Sequence, residues 1–172
     1  MAKLLVLNGA SSAGKTTLAK ALQSSFPETY LYCSLDAFWN MTPSTIPASS
    51  ENFPHLKQAM ARSVKALVET GHNVIVDIIF RDREDYAVFR EELAGVHSVV
   101  IKVECPLEEL KRRECQRGDR KIGLAETQFH TAHRHVAYDF EVNTAEHAPD
   151  ACVNQVLAFL QAEADKEEHS RA

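Results

Sequence analysis

The chain is short of the features that mark several large protein classes. No stretch of its 172 residues stays apolar long enough to span a bilayer, which sets a membrane aside as a partner. Basic side chains are in deficit: 19 Lys and Arg against 24 Asp and Glu give a formal charge of −5. That balance argues against general nucleic-acid binding, because phosphate backbones select basic surfaces. The four cysteines, Cys33, Cys105, Cys115 and Cys152, show no C-x-x-C spacing and suggest no disulfide framework. The opening MAKLLVLNGA lacks the plan of a signal peptide, since its short apolar run passes straight into glycine. These absences together point to a cytoplasmic protein. With 45% hydrophobic and 25% charged residues, the composition is globular rather than disordered or fibrous. No repeat or linker divides the chain, so residues 1–172 read as a single domain with a charged tail over about 161–172. Nothing in the sequence specifies an oligomeric state.

What is present alternates between two periods. Leu4 to Leu7 is a continuous apolar run, as expected of a strand buried on both faces of a parallel sheet. Leu18, Leu22 and Phe26 then recur at helical spacing before Pro27. Tyr30 to Leu35 reads as a second strand ending at Asp36, and MTPSTIPASS, from Met41 to Ser50, as an irregular loop. Leu56, Met60, Val64 and Leu67 mark an amphipathic helix closed by Gly71. Further strands are expected at Asn73–Phe80, His97–Val103 and Tyr138–Val142. Helices are expected over Asp82–Ala94, from Pro106, from about Leu124 and from about Ala145. The pattern predicts a parallel α/β sandwich.

One stretch carries explicit chemistry. In VLNGASSAGKTTL, Gly9, Gly14, Lys15 and Thr16 complete G-x-x-x-x-G-K-[ST], with an apolar strand before and a helix after. Glycines let the backbone N–H groups of Gly9, Ala10, Ser11, Ser12, Ala13 and Gly14 turn inward on phosphate oxygens, at a helix N-terminus that favours anions. Lys15 reaches the β- and γ-phosphates, the Thr16 hydroxyl serves Mg²⁺, and Thr17 continues the helix start. The implied ligand is a nucleoside triphosphate with Mg²⁺. Active sites of open parallel sheets lie at the carboxyl ends of the strands, which directs attention to Asp36 and Asp77. Asp77, inside the apolar run NVIVDIIF, is costly to bury without a partner, and the Mg²⁺ shell would supply one. Asp36 either caps a helix or accepts the proton of a hydroxyl acceptor. Phe38, Trp39 and Phe80 could wall that acceptor or belong to the core. In KRRECQRGDRK, the arginines Arg113, Arg117 and Arg120 flank a glycine turn, where a lid over about 113–124 could cover transferring phosphate. The histidine run HTAHRH has no third ligand at recognisable spacing and is not read as a metal site.

Taken in order, LNGASSAGKT, Asp36, VIVDIIF, RRECQRGDR with the following GLA, and HRHVAYDFEVNT resemble the chloramphenicol phosphotransferases and their relatives. The resemblance spans roughly Leu4 to Leu160. It implies a P-loop NTPase three-layer sandwich, about five parallel strands flanked by helices, close to shikimate and nucleotide kinases. It implies ATP- and Mg²⁺-dependent phosphorylation of a hydroxyl on a small organic molecule. By the same resemblance Asp36 stands at the catalytic base, Arg113, Arg117 and Arg120 at the lid arginines, and Asp77 at the strand-end acid. Asn143, Thr144 and Pro149 would lie beside the adenine. Two departures stand out. The segment after Asp36 is shorter than the family's antibiotic-binding insertion, and E-V-D-T reads E-V-N-T at Asn143. The resemblance therefore carries over the reaction more firmly than the acceptor, leaving a nucleoside, nucleotide or other metabolite kinase open. A regulatory ATP-binding protein without catalysis is the reading of a different class. A GTPase switch would want N-K-x-D and D-x-x-G, and neither occurs.

Overall fold

The computed structural model describes residues 3–46, 52–117 and 122–169. Strand β1 (Leu4–Asn8) leads through the glycine loop into α1 (Lys15–Ser25), followed by β2 (Tyr30–Ser34) and the short α2 (Leu35–Trp39). Helix α3 (Asn52–Glu69), β3 (Asn73–Ile78), α4 (Arg83–Glu92) and β4 (Ser98–Glu104) form the middle of the chain. Then come α5 (Leu107–Arg117), α6 (Leu124–Phe129), β5 (Phe140–Asn143) and α7 (Pro149–His169).

The five strands form one parallel sheet in the order β2-β3-β1-β4-β5. Strand β1 lies at its centre, which explains its unbroken apolar run: all five of its residues are buried. Alternate side chains serve opposite layers. Leu5 and Leu7, with Ile75, Ile101 and Val103, pack against α1 and α7. Leu4 and Val6, with Val74, Val76 and Val100, pack against α3 and α4. The result is the three-layer α/β sandwich that the sequence predicts. Gly71 ends α3 with φ of 93°, a conformation that glycine adopts without the steric cost of a Cβ.

Several boundaries differ from the sequence reading, each for a local reason. Strand β2 stops at Ser34, whose hydroxyl accepts a hydrogen bond from the Ala37 N–H at 3.2 Å and starts α2. Asp36 therefore stands in the first turn of a helix rather than at a strand terminus. The last helix begins at Pro149, a residue suited to a first helical position, rather than at Ala145. Of the Met41–Ser50 loop, residues 47–50 lie outside the described residues, as do Arg120 and its neighbours 118–121 in the expected lid.

A polar network crosses the base of the sheet beside the glycine loop. Asn8 is fully buried, and its amide donates to the Ala132 carbonyl at 2.7 Å and to the Tyr138 hydroxyl at 2.5 Å. Its carbonyl accepts from the Phe80 N–H at 2.9 Å. Tyr138 in turn meets His133 Nδ1 at 2.6 Å. Every polar group of the Asn8 side chain is thus used to hold three segments together. The Tyr138 hydroxyl joins the Asn8 amide, His133 Nδ1 and the Ala132 carbonyl, the last at 3.5 Å. Burial is the main cause that lowers the His133 pKa, to about 4; Lys102 adds to it and Glu104 opposes it. Burial likewise raises that of Tyr138, keeping its proton in place.

Because the folded pKa of His133 lies below the ordinary 6.5, the unfolded chain takes up more protons between those values. Its contribution is complete above pH 6.5 and declines as pH falls toward 4. Urea unfolding should show roughly 1 kcal/mol less stability at pH 5 than at pH 7, solvent screening having removed about half of the unscreened value. His133→Gln should flatten that window; an unchanged slope in the variant would contradict the assignment.

Candidate active site

The glycine loop owes its shape to two different constraints. At Gly9 the constraint is space, since a Cβ there would lie 2.4 Å from the Val103 carbonyl oxygen of the neighbouring strand. At Gly14 it is conformation, with φ of 89°. Ser12 also adopts a left-handed φ, 65°, which is strained for a residue with a side chain. Its buried hydroxyl has no hydrogen-bond partner among the described residues. Helix α1 starts at Lys15 with no side-chain cap, so its first N–H groups face the cavity beside the loop. An orphaned hydroxyl, an uncapped helix start and a lysine form a donor set suited to phosphate oxygens. Lys15 Nζ donates to the Gly9 and Ala10 carbonyls at 2.9 and 3.0 Å. Ala10 and Ala13 are buried behind the loop, where their small side chains let it approach the core.

Asp77 lies beneath this loop because β3 pairs with β1 in a register that sets it opposite Leu7. Its carboxylate accepts from Thr16 Oγ1 at 2.7 Å and from the Tyr32 hydroxyl at 3.0 Å, with Lys15 Nζ at 3.8 Å. Burial and the Asp77 charge push the Tyr32 pKa up to about 12, so the phenol stays a donor. Thr16 and Asp77 form an oxygen pair of the hard type that Mg²⁺ prefers.

A cavity of about 860 Å³ opens from the loop, and Ser11, Ser12, Gly14, Lys15, Thr16 and Thr17 line it. Asp36 and Trp39 line the side next to β2, joined by Phe53 from α3 and Arg81 from the segment after β3. Arg113 and Arg117 line it from α5, and Thr144, His147 and Pro149 from the segment after β5. Phe38 and Phe80 stand elsewhere. Phe80 is buried in the core with its ring 5.1 Å from those of Tyr86 and Phe89, and Phe38 packs on the same cluster. Their expected places on the wall are taken by Phe53 and Arg81. The available signal for Arg81 was its position as the first charge after the apolar β3 run; Phe53 lacked one beyond its place at a helix start.

Arg113 does not hang loose. Its guanidinium donates to the Thr144 hydroxyl and carbonyl at 3.0 and 2.8 Å and to Glu109 at 2.7 Å. Thr144 donates onward to the Ala13 carbonyl at 2.7 Å, which ties α5 to the glycine loop. Hydrogen bonds from Arg112 and Arg113 hold the Glu109 carboxyl down at about 2. Asn143 folds onto its own backbone, accepting from the Ala145 N–H at 3.0 Å. Two further side chains went unread in the sequence. Buried Glu114 accepts from the Gly123 and Ala125 N–H groups at 2.7 and 2.8 Å, joining α5 to the start of α6. Gln128 accepts from the Ser11 N–H at 2.7 Å, bringing α6 onto the loop. Arg120 falls outside the described residues.

The family model described as chloramphenicol phosphotransferase-like protein matches residues 2–161, loop, acids and arginine helix included. The chain belongs to this family. A Mycobacterium tuberculosis relative, whose name gives O-phosphotransferase as an inferred activity, is 32% identical across 83% of this chain and 75% of its own. Among solved structures, the M. tuberculosis APS kinase in complex with AMPPNP and APS superposes with a TM-score of 0.76 at 17% identity, covering 93% of this chain and 98% of its own. A gluconokinase from Sinorhizobium meliloti gives 0.73 at 18% identity, with 99% and 98% covered. These structures share the fold of P-loop kinases, and this member of the family is a phosphotransferase. No helix among the described residues is long and apolar enough to cross a membrane.

The crowding at Gly9 gives a direct test. Gly9→Ala places a methyl group against a backbone carbonyl that the sheet holds fixed, and should cost about 1–3 kcal/mol in urea unfolding while weakening nucleotide binding. A variant as stable as the parent would show that β4 can yield there.

Proposed function

We propose that the chain transfers the γ-phosphate of ATP to a hydroxyl of a small organic molecule, with Asp36 as general base, the whole of residues 1–172 serving as one kinase domain. The observation that carries this reading is a single cavity lined by the phosphate loop and, on its β2 side, by an exposed carboxylate with an aromatic neighbour. ATP would lie with its phosphates against Ser12, Gly14, Lys15 and Thr16 and its base toward Thr144, His147 and Pro149. Thr16 and Asp77 would hold Mg²⁺, which when bound neutralises charge on the phosphate oxygens.

In the transfer, the acceptor hydroxyl gives its proton to the Asp36 carboxylate and its oxygen forms a bond to the γ-phosphorus. The bond from phosphorus to the β–γ bridging oxygen breaks, and ADP leaves with that oxygen. Lys15, with Arg113 and Arg117 from α5, stabilises charge spread over the transferring group. Asp36 suits the base role by position: α2 begins at β2, the strand beside Asp77, so its first turn is carried past the sheet toward the loop.

General-base assistance of this kind is worth about 10²–10⁴ in rate. Asp36→Asn should therefore lower kcat by about that factor with ATP affinity, by isothermal titration, within a few-fold of the parent. ADP release in the parent should depend on an added alcohol. Turnover unaffected by the substitution would remove Asp36 from the base role.

A further inference from the structure

The acceptor side of the cavity carries a cation that the phosphate-transfer chemistry does not use. Arg81 follows β3 and lines the cavity, its side chain 40% exposed. Its Nε donates to Asp85 Oδ2 at 3.2 Å, and its backbone N–H donates to the same oxygen at 3.1 Å. Lys57, 5% exposed, also donates to that oxygen and to the Ile79 carbonyl at 2.9 Å. Two cations thus share one carboxylate. Burial pushes the Asp85 carboxyl upward, but Lys57 and then Arg81 outweigh it and hold it below the usual carboxylate range. Asp85 is fully committed between Lys57 and Arg81, and the Asp82 charge also acts on Lys57, so the cluster is close to neutral and Arg81 offers its terminal donors rather than a surplus of charge. The two terminal nitrogens of Arg81 have no hydrogen-bond partner among the described residues. The guanidinium is nonetheless held in place, by Asp85 on one edge and by the Phe53 ring, whose centroid lies 5.1 Å from its central carbon.

Phe53 also meets Trp39, ring centroids 5.5 Å apart. Trp39, Phe53 and Arg81 therefore form a continuous ladder along the cavity wall, apolar at the Asp36 end and cationic at the other. A fixed guanidinium with two donors presented side by side is suited to bidentate capture of an oxyanion, which a neutral hydroxyl cannot match.

We propose that Arg81 recognises an oxyanion on the acceptor, so that the alcohol phosphorylated here has an apolar body resting on Trp39 and Phe53 and a carboxylate or phosphate at the end away from its reacting hydroxyl. The word acceptor rests on the phosphotransfer reading above; the binding of such an anion does not. Charge sets the polarity of the substrate: its anionic end is drawn to Arg81 and repelled by Asp36, so the hydroxyl is left at the base.

Trp39 is the only tryptophan of the sequence, so fluorescence excited selectively at tryptophan, beyond the tyrosine absorption, reports on this wall. The test saturates the full chain with Mg²⁺ and a non-hydrolysable ATP analogue, to occupy the phosphate loop, and titrates phenyl phosphate, phenylacetate and neutral benzyl alcohol. At least one charged probe should bind about tenfold to a hundredfold more tightly than benzyl alcohol, as one charge-assisted contact allows, and the tighter of the two identifies the oxyanion. Arg81→Gln should abolish the preference and Arg81→Lys should keep part of it, with the fold retained by circular dichroism and analogue affinity unchanged. Equal affinity for charged and neutral probes, no binding of any probe, or a preference that survives in Arg81→Gln would overturn the proposal. The titration needs no turnover, so a chain that prefers anions yet phosphorylates no alcohol would sink the transfer reading and leave Arg81 standing. A chain that phosphorylates neutral alcohols while showing no anion preference would do the reverse.

Discussion

The site is organised around one carboxylate in an apolar strand. Asp77 sits at the carboxyl end of a β3 run whose other side chains belong to the core, where an unpartnered charge would be costly. It is made tolerable by Thr16 from α1, Tyr32 from β2 and Lys15 across a longer gap. Those partners come from either side of β3 in the sheet order, so satisfying one charge aligns the start of α1 with both strands. The β1–β3 register does the positioning, and the loop above inherits its orientation from it.

From that point the site divides along the sheet. The β1, β4 and β5 side builds the glycine-loop wall of the cavity, with the Val103 carbonyl close against Gly9 and Thr144 linking Arg113 to Ala13. The β2 and β3 side builds the opposite wall of the cavity from segments that leave neighbouring strands, Asp36 and Trp39 after one and Arg81 after the other. Helices α5 and α6 are tied to each other and to the glycine loop, through Glu114 at the start of α6 and Gln128 at Ser11. Arg113 of α5 is held toward the loop by hydrogen bonds through Thr144 rather than by charge attraction alone.

Much of this was legible in the residues. Alternation of continuous apolar runs with helical spacing gave the layers, because a buried parallel strand has no polar face to confuse the period. The loop motif located the tight turn beside the cavity, since the close approach at Gly9 and the positive φ at Gly14 restrict the residue types that fit. Aromatic side chains were harder to place. Phe38 and Trp39 are alike in sequence terms, and which faces the cavity depends on where α2 begins, with the Ser34 hydroxyl at its N-terminus; Phe80, after β3, is drawn instead into the cluster with Tyr86 and Phe89. Glu114 and Gln128 are harder to read for a related reason: each acts on a group outside its own helix, and no local pattern encodes such a contact. The buried Asn8 network is of the same kind, because an asparagine before a glycine loop looks like a turn residue until its three partners are seen.

The central claim is a direct transfer between the two ends of one cavity. Its most direct test uses ATP bearing ¹⁸O on the three terminal γ-oxygens, incubated with the protein, Mg²⁺ and a panel of alcohols that includes chloramphenicol and hydroxy acids, with products read by mass spectrometry. The account predicts a phosphorylated alcohol that retains its own oxygen in the new ester bond and carries the three labelled oxygens, with little labelled inorganic phosphate. Labelled inorganic phosphate released at the same rate with or without any alcohol, and no phosphorylated product, would contradict it.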